Sequence, residues 1–388
     1  SSFNFNNLSF YHKQQRMFID GRITKNPTDT LEMNFSDIAL DYANILFPKG
    51  NLTFNGSIHG SARLSNLYKE PSFRSNLVID TLSVNRQKVG QTRIKSLWNN
   101  QDQTIALNLK SQRGELKTID LEGTYNPKDQ SIQFDLDLDK LRMAALNPIL
   151  QKAFSDFNGA VSGHLDITGT TRYPVFNGRL SAQKTSFTID YLQTEYHLTH
   201  ILDITDNALL FNQVEVTDNN GNTANIDGRL KFHTLKNIDY TFIVEADELR
   251  ALNTTGLDNS IYYGNAFASG LVNIQGNTQT KALNIDASLS TEEDTRINLP
   301  VGDRGRSQKT RFITFVGNPQ QSSNSTGDAQ QSYRPNLSGL SMNFDLEVTP
   351  QARTRLIFDP DLRDIIEASG RGNLNMEVDN SGDFRIYG

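Results

Sequence analysis

Residues 131–139, SIQFDLDLD, alternate without interruption: Ile132, Phe134, Leu136 and Leu138 fall on one side of an extended chain, and Gln133, Asp135, Asp137 and Asp139 on the other. Successive side chains of a strand point to opposite faces, so such a segment is stable only with one face dry and the other wet. The same period recurs throughout. Ile105, Leu107 and Leu109 share one face, as do Ile238, Tyr240, Phe242 and Val244, and Met342, Phe344, Leu346 and Val348 alternate with Asn343, Asp345 and Glu347. One-sided strands are the antiparallel habit, and the turn signals Asn126-Pro127-Lys128-Asp129, Asn219-Asn220-Gly221-Asn222 and Asn380-Ser381-Gly382-Asp383 separate them. A hydrophobic fraction of 36% suits strands that bury only one face. The expected class is all-β.

A longer period is superimposed on the short one. Gly163 opens GHLDITG, and related words open at Gly50 (GNLTFNG), Gly270 (GLVNIQG) and Gly372 (GNLNMEV). Each follows an acidic-apolar segment: SDIALDYANIL, DKLRMAALNPILQKAF, DELRALN and DPDLRDIIEA. PSFRSNL from Pro71 and PVFNGRL from Pro174 share P-x-F-x-x-x-L. Fixed-period self-similarity points to stacked units rather than one globule. The repeats are expected at 1–49 (partial), 50–162, 163–269, 270–371 and 372–388 (partial), together forming one elongated region over 1–388. The acidic-apolar segments predict short helices near 141–157, 247–253 and 361–368, with Pro148 as a kink or restart and an Asp favouring the start of the latter two. Residues 303–336 break the pattern as a polar, flexible insert; 317–335 are Gln/Ser/Asn-rich, and the basic run Arg304, Arg306, Lys309 and Arg311 reads as a solvated rim or a contact for anionic groups.

Several functions are excluded or disfavoured. The net charge of −6 supplies no positive surface for nucleic acid. No cysteine is present, which removes disulfides, thiolate metal sites and cysteine catalysis. His197 and His200 form an H-x-x-H, but residues i and i+3 of a strand face opposite ways, so no shared metal is expected. Asp218–Asn222 lacks the later bidentate Glu of a calcium loop and reads as a hairpin turn. No nucleophile elbow, zinc-protease helix or phosphate loop occurs, and the carboxylates fall at wet strand positions, so neither catalysis nor a cofactor is expected. No stretch approaches the ~20 apolar residues of a membrane helix. The chain opens at SSFNFNN and stops within a strand pattern at FRIYG, as expected of a piece of a longer protein.

GAVSGHLDITGT, PVFNGRLSAQ, SFTIDYLQTEY, VTDNNGNTANIDGRL and ADELRALNTT, with the ending RLIFDPDLRDIIEASGRGNLNMEVDNSGDFRIYG, resemble the C-terminal region of the TamB family, the translocation and assembly module proteins of the AsmA-like superfamily. The wording is closest to Bacteroidetes forms; the resemblance covers about 140–290 and 340–388 and is thinner over 1–135. It implies an open U-shaped sheet with an apolar lining (a β-taco, or repeating β-groove). It also implies a periplasmic location, a parent protein anchored in the inner membrane, a TamA-like, BamA-related barrel as partner, and phospholipid acyl chains as cargo between the two membranes. On that reading Leu165, Ile167, Phe187, Ile189, Ile226, Tyr240, Phe242, Val272, Ile274 and Ile285 line a continuous trough. Alternation alone leaves a closed sandwich equally open. Two other functions remain: an assembly factor offering strand edges to outer-membrane β-proteins, and a parallel β-helix enzyme acting on polysaccharide. A transmembrane barrel is disfavoured by the single Trp98.

Overall fold

A computed structural model describes residues 2–46, 53–66, 68–69, 71–146, 154–234, 237–259, 262–300, 340–359, 364–379 and 384–388. Over these the protein is all-β, with 24 strands in one hydrogen-bonded sheet. They are β1 (Phe3–His12), β2 (Gln15–Ile23), β3 (Thr30–Ala39), β4 (Phe54–Asn55), β5 (Ser57–Ser65), β6 (Ser72–Val84), β7 (Gln87–Asn99), β8 (Thr104–Arg113), β9 (Leu116–Tyr125), β10 (Ile132–Arg142), β11 (Phe154–Gly169) and β12 (Pro174–Ile189). There follow β13 (Thr194–Thr205), β14 (Ala208–Asp218), β15 (Thr223–Thr234), β16 (Asn237–Thr254), β17 (Tyr263–Asn277), β18 (Ala282–Thr291), β19 (Arg296–Pro300), β20 (Leu340–Val348), β21 (Arg353–Asp359), β22 (Asp364–Ala368), β23 (Gly372–Val378) and β24 (Phe384–Tyr387). The chain divides into two compact units: Ser1–Asp190, Glu195–Glu245 and Asn273–Leu283 form the first, and Tyr191–Thr194, Ala246–Val272 and Asn284–Gly388 the second.

In the first unit β1, β2, β3, β5, β6, β7, β8, β9, β10, β11 and β12 pair in that sequence, each antiparallel to the next. This meander follows from the turn chemistry. At Asn126 the carboxamide accepts the Lys128 N–H (2.9 Å), and at Asp218 the carboxylate accepts the N–H groups of Asn220 (2.7 Å) and Asn222 (3.0 Å). The antiparallel pairing removes the parallel β-helix enzyme. The third turn signal, at 380–383, and the 303–336 insert lie outside the described residues.

The expected helices are where the sequence reading needs correction. Residues 247–253 belong to β16, and 364–368 are β22. Within 141–157 only Met143–Leu146 is helical, as a 3-10 turn, while Phe154–Phe157 already belong to β11 and 147–153 lie outside the described residues. A second 3-10 segment, Leu40–Leu46, occupies another of the acidic-apolar stretches.

What these stretches encode is a bulge. Asp37, Lys140, Gln213 and Glu248 have φ of 56°, 49°, 50° and 51° inside strands, as does Asn7 at 52°. The pairing register slips beside Asn7, Asp37, Lys140 and Gln213. At each, a side chain of another strand accepts the backbone N–H: Asn7 donates to Asp20 Oδ1 (3.1 Å), Asp37 to His59 Nδ1 (3.4 Å), Lys140 to Ser162 Oγ (2.9 Å), Gln213 to Asp227 Oδ1 (2.9 Å) and Glu248 to Ser269 Oγ (2.9 Å). Every acceptor is followed by a glycine: Gly21, Gly60, Gly163, Gly228 and Gly270. Asp247 is therefore the residue before a bulge, not the start of a helix. At Lys140 with Gly163 and at Glu248 with Gly270, the acidic-apolar segment and the glycine word are two halves of one two-strand device.

The glycine has its own reason. At Gly163 φ is +153°, and a Cβ would stand 2.1 Å from the Arg179 carbonyl oxygen. Gly178, diagonally across the same pair of strands, has φ of +144° and would set a Cβ 2.2 Å from the His164 carbonyl oxygen. Bulge and glycine together bend the strands locally. Ser162→Ala is expected to cost about 0.5–1.5 kcal/mol by removing the acceptor of the Lys140 N–H. Exposed Ser61→Ala should stay within about 0.5 kcal/mol of the parent, and chemical denaturation of both variants checks this.

In the second unit the sheet forks. Tyr263–Asn265 of β17 pair with β19, whereas Gly270 of the same strand lies against Ser288 and Leu289 of β18. One branch continues from β18 to β20, β23 and β24, and the other from β19 to β21 and β22. The β19–β21 pairing is parallel, from Arg296↔Arg353 to Pro300↔Ile357. The cause is connectivity: β20 is assigned to the other branch, and the chain reverses at Thr349–Ala352 (Ala352 N–H to Thr349 carbonyl, 3.1 Å) before β21 runs beside β19.

Fully buried apolar side chains are sparse. Ile79, Leu82 and Val89 form a small core against Leu40, Phe54, Ile58, Val84, Ile94, Ile119 and Leu141, where the Leu40–Leu46 3-10 segment and β4 cover one end of the meander.

Candidate functional site

Directly opposed residues of an antiparallel pair share a face, so the register converts period-2 alternation into lateral ladders. One ladder of the first unit runs Met17, Phe35, Gly60, Leu77, Ile94, Leu109, Leu121, Leu136, Leu165, Gly178. The next runs Ile19, Met33, Ala62, Ser75, Ser96, Leu107, Gly123, Phe134, Ile167, Phe176. The glycines fall in the same ladders as the apolar side chains. Leu165 is buried at 8% exposure, but Leu77, Ile94, Leu109, Leu121, Leu136 and Ile167 are only half-buried. A second layer packed on this face would bury them as it buries Ile79 (4%) and Val89 (2%) beside the covered end.

Hydroxyls mark the approach to that covered end. Thr92, Ser111 and Thr118 are 0%, 1% and 1% exposed. Thr92 Oγ1 donates to Ser111 Oγ (3.0 Å), and Thr118 Oγ1 donates to the Val89 carbonyl (3.0 Å), so their burial leaves these donors satisfied.

The structure distributes the sequence-predicted lining residues over several groups. Leu165 and Ile167 stand in the two ladders. Phe187 stacks on Phe157 (centroids 5.6 Å apart) and lies 6.0 Å from Tyr196; Ile189 opposes Phe154. Ile226 opposes Val214, which is 0% exposed. Phe242 meets Phe211 edge-on at 5.1 Å and packs over Gly228, where a Cβ would fall 2.6 Å from its ring. Tyr240 Oη donates to the Ala282 carbonyl (3.4 Å), and half-burial pushes its pKa up. Ile274 in β17 is half-buried, flanked by exposed Asn273 and Gln275. Val272 and Ile285 are half-buried in the second unit, outside the two ladders. That unit has a concavity of about 680 Å³ lined by Gly270, Leu289, Leu346 and Leu374, with Ser288, Ser290, Asp345 and Glu347 among its polar lining.

Met17, Phe35, Leu77, Ile94, Leu109, Leu121 and Leu136 extend the face far beyond the expected set. Their signal was the same alternation, and all but Leu136 fall in 1–135, where the glycine words are weak.

The opposite face is polar. His164 Nδ1 lies 2.8 Å from Asp137, and its Nε2 lies 3.4 Å from Asp166; the hydrogen bond to Asp137 holds its pKa above the ordinary value. Among the described residues Asp135, His164 and Asp166 have ligand atoms within 4.8 Å of one another, all exposed. Sequence could not join them, because Asp135↔Asp166 and Asp137↔His164 are cross-strand pairs. His197 instead contacts Asn219 Oδ1 (2.6 Å) and ties β13 to the β14–β15 turn.

Among the described residues no helix is long and apolar enough to cross a membrane. Residues 212–388 match the family described as the TamB C-terminal domain. No curated protein and no solved structure matches the chain.

Proposed function

We propose that this chain, which belongs to the TamB C-terminal domain family through residues 212–388, offers its apolar face to phospholipid acyl chains passing between the inner and outer membranes. It acts in the periplasm in outer-membrane biogenesis, the role of TamB-type proteins. A TamA-like, BamA-related barrel is its outer-membrane partner, and the parent protein is anchored in the inner membrane. The observation that carries the lipid reading is the pair of registered ladders in which Leu77, Ile94, Leu107, Leu109, Leu121, Phe134, Leu136 and Ile167 are only half-buried, although Ala62, Ser75, Ser96 and Leu165 among them are buried. A continuous apolar strip wet on one side is costly unless something apolar covers it. An acyl chain gains about 0.8 kcal/mol per methylene buried, without needing any specific polar contact. The reading requires no catalytic group, metal or cofactor.

The assembly-factor alternative draws on β22, which among the described residues pairs only with β21 and whose Ile365 and Ile366 are 44% and 53% exposed, a surface suited to strand addition. Photo-crosslinking residues at positions 166, 167, 241 and 242 of the full-length protein in cells separate the readings. Lipid adducts at 167 and 242 but not at 166 and 241 are expected. Protein adducts confined to β22, with none of lipid at 167 or 242, would replace the conduit with the assembly factor.

A further inference from the structure

The outer face of β7–β10 carries an ordered charge pattern that the lipid reading does not use. Along one cross-strand row stand Arg93, Lys110, Asp120 and Asp137, one from each strand in turn. Along the next stand Lys95, Asn108, Glu122 and Asp135, followed on β11 by Asp166. The signs run plus, plus, minus, minus in the first row and plus, neutral, minus, minus in the second. They invert about the line between β8 and β9. Only Lys110 and Asp120 neutralise each other across that line (3.0 Å). Arg93, Lys95 and Asp135 are exposed and have no ion-pair partner among the described residues. Glu122 and Asp135, and Asp135 and Asp166, are directly opposed like charges, an arrangement that destabilises an isolated sheet.

We infer that this face binds a second copy of the chain. A two-fold axis parallel to the strands, between β8 and β9, maps β7 onto β10. Facing copies then set Lys95 over Asp135 of the other copy, and Arg93 over Asp137, twice each. A two-fold perpendicular to the strands maps β7 onto β7 and opposes like charges, so the pattern selects one geometry. Isologous pairing requires such a self-complementary patch. Four strands at ~4.8 Å by ten residues at ~3.4 Å give a patch of roughly 650 Å² per copy, about 1,300 Å² in total, at the small end of standard-size interfaces. Attraction between exposed charges is screened by salt, so the dimer is expected at low ionic strength and lost at high.

Sedimentation velocity on the 388-residue chain tests this, with circular dichroism confirming that each variant folds. The parent should dimerise at about 50 mM salt and dissociate at about 500 mM. Lys95→Glu and Asp135→Lys should each weaken self-association by at least about tenfold, because each sets like charges face to face. Mixing the two variants should restore a heterodimer, since Glu at position 95 of one then faces Lys at position 135 of the other. A role for either residue within its own sheet predicts no such rescue. A parent that is monomeric at low salt, variants that still dimerise, or a mixture that does not associate would each overturn the proposal. So would dissociation of the parent by a chelator, which would mean that a cation on Asp135, His164 and Asp166 holds the copies together.

Discussion

Gly163→Val should be among the most damaging single substitutions in the chain. Its Cβ would stand 2.1 Å from the Arg179 carbonyl oxygen, and its φ of +153° lies where a β-branched residue is strained. Neither β11 nor β12 can retreat, because Gly163 pairs with Leu180 while Ser162, one residue back, accepts the Lys140 N–H of the bulge in β10. Backbone strain and overpacking of about 1–3 kcal/mol each imply a loss of about 2–6 kcal/mol. Gly114→Val provides the contrast. That turn glycine has φ of +63° but nothing within 4 Å of its Cβ position, so it should show the strain without the clash. Chemical denaturation of both variants measures the difference. Equal losses would show that the close approach at Gly163 is not what constrains it.

Ile167→Asp is expected to cut lipid transfer by at least about tenfold while the protein still folds. Ile167 lies in the ladder between Phe134 and Phe176 and is half-buried, so a carboxylate there retains part of its hydration and the sheet survives. An acyl chain covering the site would strip that hydration away. An unpaired charge costs several kcal/mol to desolvate, and each 1.4 kcal/mol is a tenfold effect, so transfer should fall by at least about tenfold. Thr241→Asp, exposed on the opposite parity of β16, should leave transfer within about twofold of the parent, since a charge there stays in water. Transfer between donor and acceptor vesicles, measured alongside the melting curve of each variant, separates loss of function from loss of fold. A folded Ile167→Asp protein that transfers normally would remove the ladder from the path.

Much of this was legible in the residues. The parity of Ile132 to Asp139 set the faces of β10 before any neighbour was known, because side-chain direction in a strand depends only on position. The glycine words pointed to a recurring backbone event. Three of their acidic-apolar prefixes, near 141–157, 247–253 and 361–368, were read as helices because an Asp one or two residues before Leu-Arg satisfies helix-start chemistry as well as it satisfies a bulge. What separates the two is the acceptor on another strand, His59 for Asp37 or Ser269 for Glu248, and these lie 22 and 21 residues away.

The sequence by itself determined which side chains could be dry, since alternation is a property of the single strand. Register was decided only by the tertiary structure, because it depends on bulges and hairpins summed across many strands. Register placed Leu165 beside Leu136 rather than one residue out of phase, and it set Lys95 and Asp135 in one row. It also decided that the dry side of the meander stays half-open. Alternating strands can close against a second sheet equally well, and it is the half-exposed ladder from Leu77 to Leu136, beside the covered core at Ile79, that distinguishes the two outcomes.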